Sequence, residues 1–162
     1  MTEPHPITRP DHETPNFIFR GYSSSDLPLI MSDWRLSNRS SPFSRNIPTD
    51  LYNTNSRQLM TNILNHQGTH ALLAVNPDDT EQVFAWVVFS YYNSDILIVH
   101  YAYTKDSCRR LGIMKALITS TLRQPITDTI IICTHTGNEK VYKRIASTHP
   151  IAYNPYILAN YA

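Results

Sequence analysis

A short basic turn, Lys105 to Gly112, holds the residues of this chain whose types and spacing could do chemistry. The run before it, Ile96 to Tyr103, is β-branched and aromatic on both alternating faces, which is typical of a central strand. From Ile113 onward, apolar residues recur at helical spacing. A helix that starts at such a turn offers free backbone N–H groups and a favourable dipole to an anion, and Arg109 and Arg110 add full charges. The pattern therefore predicts a site for a phosphate-bearing cofactor.

The turn resembles a known motif. The segment Arg109-Arg110-Leu111-Gly112-Ile113-Met114 is similar to the Arg/Gln-x-x-Gly-x-Gly/Ala loop of the GNAT acetyltransferase superfamily. In that family the loop follows the fourth strand and binds the pyrophosphate of acetyl-coenzyme A, so the resemblance implies that these six residues bind acetyl-CoA. The segment departs from the motif at Met114, where the family usually keeps a small residue. A methionine there would either narrow the phosphate cradle or pack beneath it.

The same resemblance implies further site residues. In GNAT proteins the strand before the loop gives backbone contacts to the pantetheine arm and the thioester carbonyl. By position this role falls on Ala102, Tyr103 and Thr104. The family often places a tyrosine on the helix after the fifth strand as the acid for the departing thiolate. Tyr142 occupies the matching place, four residues after Asn138, which is assigned to the cofactor contacts. The alternative for Tyr142 is a core residue with its hydroxyl at the edge.

The base that deprotonates the amine is less obvious. Some family members use a carboxylate on the fourth strand, and here the strand offers none between Asp95 and Asp106. It does contain His100, whose side chain titrates in a useful range. By the two-residue period of a strand, His100 should share a face with Ile98 and Ala102. A lone histidine in an apolar strand is also often a hydrogen-bonded core residue, so the base and the core role both stay open.

Composition limits the class of protein. A chain of 162 residues with 41% hydrophobic residues fits one globular domain. Its formal charge of +1 gives no electrostatic case for binding nucleic acid or a membrane. No apolar run approaches the about 20 residues of a membrane span, and no signal peptide is visible, so we expect a cytoplasmic protein, in the host cytoplasm if phage-encoded. Cys108 and Cys133 are expected to be free thiols, and no metal site is expected.

The elements that must position the turn follow from hydrophobic periodicity. A proline-rich N-terminal arm, residues 1–15, precedes a single domain, residues 16–162. Strands are predicted at 16–20, 70–75, 83–92, 96–103, 129–134 and 152–158, and helices from Leu27 through Trp34, at about 54–66, at 113–123 and from Gly137. This order, β-α-α-β-β-β-α-β-α-β, predicts an α/β (α+β) fold with a mixed, mostly antiparallel sheet and helices on both faces. GNAT proteins have this order.

The polar segment from Leu36 to Asp50, with Arg39 and Arg45, separates the first two helices. A loop this long inside a compact domain is either a functional segment or a solvated connector. In the resembled family the corresponding segment lines the acceptor site, so the resemblance favours contact with the acceptor.

The resemblance implies an N-acyltransferase that moves an acetyl group from acetyl-CoA to an amine of a small molecule, peptide or protein by direct transfer. Its partners would be an acyl-CoA and an amine acceptor, and a homodimer stays open. The alternative is a GNAT-fold binding or structural module with a degraded loop, such as a phage virion or host-interaction protein. Met114, the missing strand carboxylate and a total of only four glycines support it. Aminoacyl transfer from tRNA, a third option, is disfavoured by the near-neutral charge.

Overall fold

The structure, a computed structural model, describes residues 15–42, 44–135, 143 and 149–161. Its strands are β1 Ile18–Gly21, β2 Thr69–Val75, β3 Val83–Tyr91, β4 Ile96–Thr104, β5 Ile130–Cys133 and β6 Ile151–Tyr153. Its α-helices are α1 Leu27–Arg39, α2 Thr49–Asn65 and α3 Ile113–Thr121. The predicted N-terminal arm up to residue 14 lies outside the described residues, and so does the helix predicted from Gly137, apart from Lys143, which is helical.

The strands form one sheet in chain order, from β1 to β6. The first four pair antiparallel, whereas β5 pairs parallel with β4 and β6 pairs parallel with β5. The prediction of a mixed, mostly antiparallel sheet is thus confirmed. The hairpin between β3 and β4 is held by Asn93, whose side-chain oxygen accepts the N–H groups of Asp95 and Ile96, each at 2.9 Å. Because β4 and β5 are parallel, both strands end at the edge of the sheet from which the basic turn leaves.

Two hydrophobic cores cover the two faces of the sheet. One lies under α1 and α2 and is centred on Trp34 and Trp86, and the other lies under α3 and is built around Leu117. Strand β3 is buried from Val83 to Ser90, because its alternate side chains enter the two cores. None of the helices in the described ranges is long and apolar enough to cross a membrane.

A β-bulge interrupts β4 at His100. Val88 of β3 lies opposite Tyr101, whereas the next residue, Phe89, lies opposite Val99. His100 therefore has no partner on β3, which is the signature of one extra residue in the bulged strand.

The bulge reverses the alternation of side chains along β4. Before it, Leu97 and Val99 pack into the core under α3, and after it, Tyr101 packs into the core under α1 and α2. The prediction that His100 and Ala102 share a face is wrong for this reason. The two-residue period that supported it does not continue through a bulge.

The connector between the first two helices is shorter than predicted. Helix α1 continues to Arg39 and α2 already begins at Thr49, which leaves residues 40–48 instead of 36–50. The added turn of α1 is polar but docked, since the hydroxyl of Ser37 lies 2.6 Å from that of Tyr101. The added turn of α2 is anchored by Tyr52, whose hydroxyl donates to the backbone oxygen of Arg35 at 2.7 Å. Tertiary contacts of this kind leave no mark in hydrophobic periodicity.

The last strand also ends earlier than predicted. β6 stops at Tyr153, and residues Pro155–Tyr161 form a 3₁₀ helix in place of the predicted extension to residue 158. Proline has no N–H and a fixed φ angle, so it ends the strand and starts a turn. The side-chain oxygen of Asn154 accepts the N–H of Tyr156 at 3.1 Å and secures that turn. Among the described strands β6 lies at an edge, where a strand next to proline is tolerated.

Candidate active site

The backbone of the basic turn adopts a conformation suited to an anion. Arg110 and Gly112 have φ angles of 69° and 78°, both in the left-handed region, and Gly112 is the N-cap of α3. The N–H of Ala116 donates to the oxygen of Gly112 at 3.0 Å. The N–H groups of the first helical turn, from Ile113 on, have no intrahelical acceptor and are directed towards the turn. Left-handed residues next to a helix start form a concave set of N–H donors.

Gly112 is required by its backbone conformation. A Cβ atom built on it would meet nothing within 4 Å, so the space above it is open. Its φ angle of 78°, however, strains a side chain that branches at Cβ. The turn therefore has both the backbone shape and the free space that a pyrophosphate needs.

The two arginines are exposed and differ in their contacts. Arg109 folds back over its own turn, with its guanidinium 2.7 Å from a carboxylate oxygen of Asp106 and its Nε donating to the oxygen of Thr104 at 3.3 Å. An exposed pair of this kind contributes at most about 1 kcal/mol, so a phosphate could replace Asp106 at little cost. Arg110 is exposed and makes no ion pair with another described residue.

Met114 packs beneath the turn. Its side chain is half-buried and lies against the core under α3, as does that of Leu111. Of the two alternatives that the sequence left open, this packing favours the second: the methionine supports α3 and does not occupy the open space above Gly112.

Strands β4 and β5 separate next to this turn. Their pairing ends at Val99 and Cys133, while β4 continues to Thr104. The N–H of Lys105 donates to the oxygen of Phe84 on β3 at 3.0 Å. Since backbone groups alternate along a strand, Ala102 and Thr104 direct theirs away from β3, towards the opening. In the segment predicted to contact pantetheine, Ala102 and Thr104 therefore turn their backbone groups away from β3, with the oxygen of Thr104 accepting from Arg109, whereas Tyr103 faces β3.

His100 is completely buried. Its Nε2 lies 3.0 Å from the hydroxyl of Ser90 and 3.3 Å from that of Tyr161, and in the described part of the chain its Nδ1 has no hydrogen-bond partner. Burial, followed by the neighbouring His135 and His66, lowers the pKa of His100 to about 4. A side chain enclosed in this way fits the core role better than the base role, because a base must reach the amine or its bridging water.

His135 is a candidate that the sequence argument missed. It follows the end of β5, and its Nδ1 lies 2.8 Å from the carbonyl oxygen of His100 and 3.0 Å from the hydroxyl of Thr134. Its ring stands edge-on to Trp34, with 5.3 Å between ring centroids. Burial lowers the pKa of His135 to about 4, opposed by the hydrogen bond to His100. The available signal was its position, since side chains at the carboxyl ends of adjacent parallel strands meet at one edge of a sheet.

A cleft of about 190 Å³ opens beside His135. It lies between the connector and α2, and its wall includes Ser44 and Ile47 of the connector and Tyr52 and Met60 of α2. The connector therefore lines a cavity, and its contact with an acceptor stays a prediction. None of the described residues that line this cleft carries a carboxylate or an ammonium group.

Asp33 of α1 is a half-buried carboxylate near the end of β4. It accepts a hydrogen bond from the indole N–H of Trp86 at 3.2 Å, and burial raises its pKa. Cys108 and Cys133 are free thiols, as predicted. The predicted acid, Tyr142, and the predicted cofactor contact Asn138 lie outside the described residues, so their roles stay predictions.

No protein-family model and no curated protein sequence matches the chain. Solved structures do. The protein titled "Putative acetyl transferase from Pyrococcus furiosus" matches with a TM-score of 0.59 and 15% identity, over 83% of this chain and 93% of that chain. A protein of Clostridium difficile 630, titled a "possible acetyltransferase", matches with a TM-score of 0.53 and 14% identity, over 85% and 93%. A GNAT-family acetyltransferase from Staphylococcus aureus Mu50 matches at 18% identity with a TM-score of 0.46, over 65% of this chain and only 63% of that one.

At these identities the likeness concerns the fold. The two matches with the higher TM-scores extend over most of both chains. The chain therefore has the fold of the GNAT acetyltransferases.

Proposed function

We propose that the protein is an acetyl-CoA-dependent N-acetyltransferase that transfers the acetyl group directly to an amine. One observation carries the proposal: the left-handed Gly112 starts α3 at the edge where β4 and β5 part, with open space above it. The N–H groups at the start of α3 thus lie next to the end of β4, whose backbone faces the opening. A donor with a pyrophosphate and an amide-rich arm needs this combination.

Each part of the donor has a matching part of the site. The pyrophosphate would lie on the turn from Arg109 to Met114, with Arg109 exchanging Asp106 for a phosphate. The pantetheine amides would pair with the backbone of Ala102 and Thr104, as an added strand pairs with an open edge. The thioester carbonyl would then lie near the bulge at His100, where the two strands separate.

The chemistry needs few protein groups. The amine nitrogen attacks the thioester carbonyl, the carbon–sulfur bond breaks, and the electron pair leaves on sulfur. A hydrogen bond to the carbonyl and a proton for the thiolate both lower the barrier. Tyr142 keeps its proposed role as the acid for the thiolate, and the cleft beside the connector is proposed to receive the amine.

The alternative of an inactive binding or structural module is not favoured. It relied on Met114 obstructing the turn, on the missing strand carboxylate and on the total of only four glycines. Met114 packs into the core, and an imidazole stands near the site on another element, at His135.

A transfer assay tests the proposal. Acetyl-CoA is incubated with the protein and a panel of primary amines, and acetylated product is detected by mass spectrometry. We expect product that depends on both the protein and the amine. Absence of product with every amine, together with absence of coenzyme A binding, would favour the module.

A further inference from the structure

The hydrogen bonds around His135 fix which of its ring nitrogens carries the proton. A carbonyl oxygen can only accept, so the 2.8 Å contact with the oxygen of His100 requires a proton on Nδ1. The hydroxyl of Thr134 donates its own proton to the same oxygen at 3.2 Å. The lone pairs of that hydroxyl can therefore accept from the N–H at Nδ1 of His135. In a neutral imidazole with a proton on Nδ1, Nε2 carries a lone pair and accepts.

The ring is also held in a fixed orientation. It stands edge-on to Trp34 and Tyr101, with centroids 5.3 and 5.8 Å away and interplanar angles of 83° and 77°. Because Nδ1 faces the backbone of β4, the opposite side of the ring, with Nε2, remains for the cleft that His135 lines. No hydrogen bond to Nε2 is made within the described ranges.

This ring stands where the reaction would take place. The carbonyl that holds it belongs to the bulge residue of β4, two residues before Ala102, whose backbone faces the opening. His135 thus lines the cleft and also contacts β4 at the point where β4 and β5 part. An amine in the cleft and a thioester between the strands would meet beside His135.

We propose that Nε2 of His135 accepts the proton that the acceptor amine loses, and that the acceptor is a small primary amine with an uncharged, apolar body. The inference rests on the proposed function and deepens it. As nitrogen bonds to the carbonyl carbon and the carbon–sulfur bond breaks, the proton leaves nitrogen for Nε2. The imidazolium then releases it to solvent, and the thiolate takes up one proton, so that protons balance over the cycle.

The cleft supports the class of acceptor. Its described lining combines the apolar Ile47, Leu59 and Met60 with the neutral polar groups of Asn38 and Asn55. A polycationic acceptor would need carboxylates there, because an unpaired buried charge is costly. The described lining holds no carboxylate, so it also disfavours the ammonium form and helps to deliver a neutral amine. Its volume of about 190 Å³ suits one small ring or a short alkyl chain.

Several titratable groups surround His135, and each differs from it as a possible acceptor of the amine proton. His100 lies behind it on β4 and is enclosed. Tyr101 and Tyr52 have pKa values raised above 10 by burial, so they stay protonated at neutral pH. Asp33 precedes Trp34 on α1 and is the rival base, with its pKa raised by burial.

The decisive variant is His135→Asn. Its amide N–H can keep the hydrogen bond to the oxygen of His100, while the acceptor at the position of Nε2 is removed. The matched control is Asp33→Asn, which tests the rival base. The probes are 2-phenylethylamine, a small apolar amine, and spermine, a polycation, each with acetyl-CoA.

We expect the unmodified protein to acetylate 2-phenylethylamine in preference to spermine. His135→Asn should lower kcat about 100-fold or more and leave the KM for acetyl-CoA within about threefold. Asp33→Asn should retain kcat within about threefold. If His135→Asn retains kcat, or if Asp33→Asn loses it instead, the proton goes elsewhere and the inference is wrong.

Two further results separate the inference from the proposed function. Failure of the unmodified protein to acetylate any amine overturns both, whereas transfer that survives His135→Asn overturns only the inference. Preference for spermine overturns the proposed acceptor class. Should the variant not fold, nitrogen-15 NMR of the unmodified protein decides: a proton on Nδ1 of His135 is expected at pH 7, and a proton on Nε2 contradicts the inference.

Discussion

The Nδ1 atom of His135 lies 2.8 Å from the carbonyl oxygen of His100, across the point where β4 and β5 part. Both residues are histidines with lowered pKa values, yet their surroundings differ. His100 is enclosed by Ser90 and Tyr161, whereas His135 lines a cleft. At the bulge, the carbonyl of His100 points to His135 and its side chain points into the core. One residue of β4 therefore both orients the His135 ring and fills the core.

Substitutions of Gly112 should separate backbone strain from cofactor contact. Gly112→Asn tolerates the left-handed φ angle of 78° far better than Gly112→Val, because asparagine visits that region and a β-branched residue does not. We expect Gly112→Val to lose about 1–2 kcal/mol of unfolding free energy and Gly112→Asn less. Both should weaken coenzyme A binding, since each fills the space above the turn. Urea unfolding and calorimetry measure the two effects. If the asparagine variant binds as tightly as the unmodified protein, the phosphate does not lie over Gly112.

Met114→Ala should reduce stability and leave coenzyme A affinity almost unchanged. The side chain packs against the core under α3, and removing it from a half-buried position should cost about 1–2 kcal/mol of unfolding free energy. Thermal unfolding and calorimetry on the same samples give both quantities. A clear gain in affinity for coenzyme A would instead mean that Met114 narrows the phosphate cradle.

Tyr142→Phe should lower turnover by about 100-fold or more if its hydroxyl protonates the thiolate. Ring packing is kept in this variant, so coenzyme A affinity should hardly change. Steady-state kinetics with acetyl-CoA and an amine measure the effect. Unaltered turnover would assign Tyr142 to the core.

Acid should destabilise the protein through His100. Its folded pKa is about 4, below the ordinary value of 6.5, so the unfolded chain takes up the proton first as the pH falls. The free energy of unfolding should therefore be highest above pH 6.5, where His100 is neutral in both states. It should fall by roughly 3 kcal/mol in total as the pH is lowered to about 4.

The matched variant for this effect is His100→Gln, whose amide can still contact Ser90 and Tyr161. Urea unfolding at pH 7 and pH 4.5 should give a smaller difference in unfolding free energy for the variant than for the unmodified protein. Equal differences would show that His100 does not titrate on unfolding. The loss that remains in the variant should include the contribution of His135, whose pKa is lowered in the same direction.

The sequence predicts the features of this fold that depend on local pattern. The apolar runs of β3 and β4, the turn at Arg109 to Gly112 and the start of α3 at Ile113 are all close to where periodicity and glycine place them. The mixed sheet follows from the order of these elements. What the pattern could not predict depends on distant contacts. The last turn of α1 is polar and is held by Ser37 against Tyr101.

The candidate site was predicted less completely than the fold. A bulge has no sequence signature of its own, so the strand period assigned His100 to the face of Ala102 and towards the chemistry. His135 escaped notice because its importance depends on a hydrogen bond to the backbone of another strand. Only the pairing of β4 with β5 brings the two histidines together.

A calorimetric titration tests most directly whether the turn at Gly112 binds the pyrophosphate of coenzyme A. The unmodified protein is titrated with coenzyme A and, separately, with pantetheine, which has the same arm and no phosphates. The account predicts that coenzyme A binds at micromolar to millimolar concentration and that pantetheine binds at least about tenfold more weakly, because the turn at Gly112 holds the pyrophosphate. No heat with coenzyme A at millimolar concentration, or equal affinity for the two, would contradict it.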